Sequence, residues 1–162
     1  MKKLLLFAFA FFCFSLMHAQ KAYVFNWADP TSLDPDFSAP DLNNRYGEYI
    51  SNVVFMCGPV SLQINDDDVN ELSQKARFLY GYTTRTVEMR AYPHSIITVE
   101  LTEPGSIKSI KFEGAKATST QMEYMGEQGT FKNTTWTADD EELVKKVEFY
   151  VAATINCTKT AV

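Results

Sequence analysis

The chain is poor in the side chains that most often carry catalysis. Histidine occurs twice, at His18 and His94. His18 lies in a segment that reads as removed on export, so a Ser-His-Asp or Cys-His site has only His94 to use. His94 follows Pro93 in an expected hairpin turn, where a solvated histidine is the ordinary outcome. A multi-histidine zinc site is excluded by the count. Asp66, Asp68 and Asn70 have the spacing that opens an EF-hand calcium loop, but Glu71 and Arg77 stand where that loop needs its glycine and its bidentate glutamate. What remains is a looser structural calcium site at Asp66 and Asp68, set against a plain solvated acidic loop. Asp139-Asp140-Glu141-Glu142 suits a solvated turn or a first helical turn. Acids are plentiful, so paired carboxylates for glycoside hydrolysis are not ruled out by counting. No Glu-x-Asp-x-x-Glu pattern of the jelly-roll glucanase kind selects a pair from among them.

Aromatic residues are the other chemical resource. A flat exposed ring stacks on a sugar face while a neighbouring Arg, Asn or Asp fixes the hydroxyls. Arg90 and Tyr92 share the strand face opposite Val87 and Met89, and Tyr80 and Tyr82 share a face with each other. Tyr80, Tyr82, Arg90 and Tyr92 are therefore the candidate ligand-binding residues. The competing account is ordinary cross-strand packing, which favours aromatics anyway.

Residues 1–19 set the compartment. Lys2 and Lys3 precede an uncharged run from Leu4 to Leu16, and Ala19 offers a small residue at the cut before Gln20. This order is that of a secretory signal peptide, and the run is short for a membrane span. Cys13 lies within the apolar run and lacks the small residues of a lipid-attachment site. The expectation is a secreted or periplasmic bacterial protein, with no membrane insertion after cleavage, in which residues 20–162 form one domain. A chain of this size can bury a substantial core without a disulfide. Cys57 and Cys157 remain after export, either as a disulfide or as two buried thiols. By strand parity both point inward. Removal of Lys2 and Lys3 takes the formal charge from −5 to −7. Such a balance, without a Lys/Arg run, disfavours nucleic acid and anionic membrane surfaces as partners.

The elements that must hold these residues read as strands. Val60, Leu62 and Ile64 alternate with Ser61 and Gln63. Val87, Met89 and Ala91 alternate with Glu88 and Arg90, and Ile97, Val99 and Leu101 with Thr98 and Glu100. Ile110 and Phe112 flank Lys111, and Val147, Phe149 and Val151 alternate with Glu148 and Tyr150. Tyr23, Phe25 and Trp27, the run Val53 to Cys57, and Ile155 with Cys157 complete the pattern. Period two with one polar face marks half-buried antiparallel strands. Gly58-Pro59, Pro93-His94 and Glu103-Pro104-Gly105 punctuate them. Residues 28–50, with Pro30, Pro35 and Pro40, read as irregular. Residues 66–73 and 139–145 could each support a helical turn or two. The fold expected is an all-β antiparallel sandwich of jelly-roll type.

Several segments together resemble a known domain. They are Tyr23-Val24-Phe25-Asn26-Trp27 with Pro30-Thr31-Ser32-Leu33-Asp34-Pro35 after it, Arg77-Phe78-Leu79-Tyr80-Gly81, Val87 to Tyr92, Ile96 to Val99, Ser106 to Phe112, Thr135-Trp136-Thr137 and Lys146 to Phe149. Their order is similar to a jelly-roll-like β-sandwich domain that recurs in exported, mostly uncharacterised proteins of host-associated Gram-negative bacteria. The resemblance implies a fold, and a fold does not imply a function. The function expected is non-catalytic binding of a glycan or a cell-surface protein at the cell exterior. A carboxylate glycoside hydrolase and a structural or adhesion subunit are the alternatives.

Overall fold

The computed structural model describes residues 20–67, 71–114, 116–139 and 143–162. The expected export segment, residues 1–19, lies outside the described residues, as does Asp68. Among the described residues no helix is long and apolar enough to cross a membrane. The fold is the all-β antiparallel sandwich expected from the alternation, built from three sheets.

The first sheet runs β1 (Val24–Phe25), β14 (Lys159–Ala161), β8 (Ser109–Glu113), β11 (Thr135–Ala138) and β10 (Gly129–Lys132). The second runs β3 (Val54–Cys57), β4 (Val60–Asn65), β7 (Ile96–Leu101), β12 (Lys146–Val151) and β9 (Met122–Tyr124). The third has four strands: β13 (Ile155–Cys157), β6 (Val87–Ala91), β5 (Arg77–Tyr80) and β2 (Tyr46–Tyr49). Successive strands repeatedly land in different sheets, so the long-range pairings close the fold from its two ends: β1 pairs with β14, with Phe25 opposite Thr160. Only Thr158 separates β13 from β14, and its N–H donates to the Glu113 carbonyl at 2.7 Å. The chain thus passes directly from the third sheet into the first.

The core sits between the second sheet and the other two. Phe149 of the second sheet meets Phe112 of the first edge-to-face, with ring centroids 5.1 Å apart. Phe55 of the second sheet meets Phe78 of the third at 6.4 Å, and Trp27 packs edge-on to Phe55 at 5.1 Å. These rings are fully buried. Edge-to-face contacts of this kind add to the area they bury. The Trp27 indole N–H would be costly to bury alone; it donates to Thr160 Oγ1 at 2.9 Å. Parity holds along the predicted strands: Val60, Leu62, Ile64, Val147, Phe149 and Val151 are buried, while Lys111 and Lys146 are exposed.

Local differences from the expectations have physical causes. The stretch 28–50 is not wholly irregular, because it supplies the edge strand β2 as well as a 3₁₀ turn at Pro30–Ser32. The helical signal after Asp66 reduces to one 3₁₀ turn, Leu72–Gln74. Of the second helical expectation, residues 140–142 lie outside the described residues and residues 143–145 are irregular. Cys57 and Cys157 are free thiols. Cys57 ends β3 on one sheet and Cys157 ends β13 on another, so the side-by-side placement a bridge requires is not formed. Cys57 Sγ approaches the Val24 carbonyl at 3.7 Å, whereas Cys157 Sγ lies 2.9 Å from the Lys159 carbonyl and 3.2 Å from that of Glu113. Burial pushes the Cys157 thiol up to about 11, against the opposing pull of its contacts with Thr160, Lys159 and Glu113.

Candidate functional site

The outward face of the four-stranded sheet gathers the most chemistry. On β5, Phe78 points into the core, so Arg77 and Leu79 point out. The register sets Arg77 opposite Arg90 of β6 and Leu79 opposite Glu88. Beyond β6, Asn156 of β13 lies opposite Arg90 and accepts the Arg90 Nε–H at 2.8 Å. On the other side of β5, Tyr46 lies opposite Leu79 and Tyr49 opposite Arg77. Three residues of β2 thus span two of β5, which is the count of a β-bulge. The extra residue brings Tyr46 and Tyr49 onto one face, although their spacing is not that of a regular strand. Gly47, between them, has no room for a side chain: a Cβ there would sit 2.9 Å from Phe78 Cβ.

Arg77 is held in this face by stacking. Its guanidinium lies 4.7 Å from the Tyr49 ring centroid and 5.2 Å from that of Tyr46. A guanidinium over a tyrosine face is attracted by the ring quadrupole. Arg77 is only 8% exposed and donates through Nη2 to the Ser73 carbonyl, while its buried Nε–H has no partner. The two tyrosines remain open to solvent on their other sides, at 58% and 41% exposure.

A second stack stands at the end of the same sheet. Tyr82, 62% exposed, lies in the loop joining β5 to β6, with Arg45 at 5.0 Å and Arg85 at 5.6 Å from its ring centroid. Arg45 is fixed from both sides. Its carbonyl accepts the Tyr80 N–H at 2.8 Å, and the preceding turn is tied by Asp41, whose carboxylate accepts the Asn43 and Asn44 amides at 2.7 and 2.8 Å. Those amides, that of Asn44 foremost, hold the Asp41 carboxyl below its ordinary range. The loop itself closes tightly over Glu88: Thr84 Oγ1 donates to Glu88 Oε1 at 2.7 Å, and a Cβ on Gly81 would collide with Thr84 Oγ1 and lie 2.7 Å from Glu88 Oε1.

The residues expected from sequence divide. Arg90 belongs to this face, and Tyr82 stands in the loop at the end of the same sheet. Tyr92, just past the end of β6, is half-buried. Tyr80 is a correction: it packs against the core and its hydroxyl donates to the Arg85 carbonyl at 3.2 Å, because β5 alternates Phe78 and Tyr80 inward. Asp66 is turned inward and engaged. It is fully buried, accepts the Ala76 N–H at 2.7 Å and the Ser51 hydroxyl, and has Lys75 Nζ at 3.7 Å. This carboxylate ties the end of β4 to the turn before β3 and to the entry of β5. Among the described residues no group of three or more His, Cys, Asp or Glu side chains is arranged to hold a metal ion. His94 is an exposed turn residue in the left-handed region, φ 75°, with Nδ1 2.8 Å from the Tyr150 hydroxyl. Sequence reasoning missed Tyr46, Tyr49 and Arg77, whose common face depends on the bulge. Comparison with protein-family models, with curated proteins and with solved structures finds no match to this chain.

Proposed function

We propose that the protein is an exported, non-catalytic binding module, and that the outward face of its four-stranded sheet takes a glycan. The observation that carries this reading is the set of three exposed tyrosines, Tyr46 and Tyr49 on the outward face and Tyr82 in the loop at the end of the same sheet, set among arginines and Asn156. Open rings provide stacking area for sugar faces, and the guanidinium and amide groups provide directional bonds to hydroxyls. The buried carboxylates among the described residues, Asp66 and Glu88, both accept hydrogen bonds from protein donors, an arrangement of structural carboxylates rather than of an acid facing a nucleophile. Export, with cleavage before Gln20, places such a module in the periplasm or outside the cell.

A glycan array probed with the protein as its host exports it tests this reading. Binding to a set of glycans that is lost in Tyr46→Ala/Tyr49→Ala/Tyr82→Ala, with the fold retained, is the expected result. An array with no binding, or binding unaffected by the three substitutions, would refute it.

A further inference from the structure

We infer that the glycan recognised by this face is anionic, a saccharide segment bearing carboxylate or sulfate groups; this rests on the proposal that the face binds glycans. The first observation is distribution. The chain contains four arginines, Arg45, Arg77, Arg85 and Arg90, in a protein of net charge −5. Every one of them lies on the four-stranded sheet or at its end. The second is that none of the four makes an ion pair among the described residues, whereas Lys75, Lys111, Lys146 and Lys159 each have a carboxylate partner within 4 Å. The one acid in the middle of the face, Glu88, is buried beneath the loop and accepts the Thr84 hydroxyl.

The third observation is unfilled bonding capacity. A guanidinium carries five N–H donors in a planar fork. Arg45 gives one to the Tyr80 carbonyl, Arg77 one to the Ser73 carbonyl and Arg90 one to the Asn156 amide oxygen. Arg85 contributes only its stack on Tyr82. The acceptors are neutral throughout. Arg77 and Arg90 stand opposite each other in the register, the Arg77 head turned to the β2 tyrosines and the Arg90 head to Asn156 of β13. A carboxylate or sulfate laid on the face would accept paired N–H groups. The fork geometry suits a planar, two-oxygen acceptor. Exposed tyrosine rings on the face, and in the loop at the end of its sheet, favour a saccharide over an acidic peptide, because they present flat apolar area on which sugar rings stack. The acidic balance of the remaining surface opposes a long phosphate backbone.

Isothermal titration of the exported protein against four probes tests the inference: oligogalacturonate, dextran sulfate, neutral dextran and poly-glutamate. One of the two charged saccharides should bind more tightly than dextran by about tenfold or more, weakening as salt is raised. Which of them binds identifies the anion as carboxylate or sulfate. Arg85→Gln/Arg90→Gln should abolish the preference while leaving the melting temperature unchanged or higher. Dextran binding as tightly as both charged saccharides, with loss in the tyrosine variant, would overturn the anionic assignment and leave the glycan-binding reading standing. Poly-glutamate binding as tightly as the saccharides would overturn it in favour of an acidic peptide. Charged-saccharide binding that survives the double arginine variant would also overturn it. Failure of every saccharide would bring down both readings.

Discussion

Arg77 and Arg90 face each other across β5 and β6, and no acidic side chain among the described residues is paired with either. Directly opposed like charges destabilise a sheet, by roughly 0.2–1 kcal/mol relative to a neutral pair. The arrangement therefore works against folding where it stands. Tyr46 and Tyr49 offset part of that cost by stacking on Arg77, and Asn156 by accepting from Arg90. A face kept at some expense to stability is the behaviour of a functional surface.

From this relationship, Arg90→Gln should leave the protein as stable as before or more stable by up to about 1 kcal/mol. Urea denaturation of the two proteins measures it. A loss of more than about 1 kcal/mol would mean that Arg90 is a structural residue instead.

The two faces of β12 predict a strong asymmetry. Phe149 is fully buried against Phe112 and Phe131, so Phe149→Ala should cost about 3–5 kcal/mol. Lys146 is exposed and its ion pair with Glu148 is solvated, so Lys146→Ala should change stability by less than about 0.5 kcal/mol. Denaturant melts that ranked these two the other way would invert the strand assignment.

Asp66→Ala should be costly for a different reason. It strips a buried acceptor from the Ala76 N–H and the Ser51 hydroxyl, leaving donors without partners at the junction of β4 and β5. The expected loss is about 2–3 kcal/mol, read from thermal or denaturant unfolding, with Asp66→Asn recovering part of it. A silent Asp66→Ala would show that the junction does not depend on this carboxylate.

The cysteines give a prediction in the alkaline range. Two free thiols per chain should be titrated in the unreduced, denatured protein once residues 1–19 are removed, and Cys157 should resist alkylation while the protein is folded. Its folded value, about 11, lies above the 9.0 of an exposed thiol. The folded state therefore holds the proton more tightly. The stability this contributes is complete below pH 9.0 and is lost as pH rises towards about 11. Cys157→Val should flatten that part of the pH–stability profile relative to the parent. An unchanged slope would assign the alkaline loss to other groups.

Much of the fold was legible because burial on one face writes itself as alternation. Val60-Ser61-Leu62-Gln63-Ile64 and Val147-Glu148-Phe149-Tyr150-Val151 appear in the structure with the parity they have in the sequence. β5 was harder, since Leu79 is buried on the outward face beside Tyr46 and Arg77 is buried by its tyrosine stacks, so the alternation vanishes. The candidate site was legible only at Arg90 and Tyr82. Tyr46 and Tyr49 share a face through a register shift that no local pattern announces, in a stretch whose prolines argue against a strand. Tyr80 misled because its parity with Phe78 turns it toward the core.

The central claim is that the outward face of the four-stranded sheet is the ligand surface. Amide chemical-shift mapping during titration with oligogalacturonate or dextran sulfate, whichever binds, tests it most directly. Perturbations should concentrate on Tyr46, Tyr49, Arg77, Tyr82, Arg90 and Asn156. Perturbations clustered instead at the groove lined by Lys21 and Lys108, with the tyrosine face silent, would contradict it.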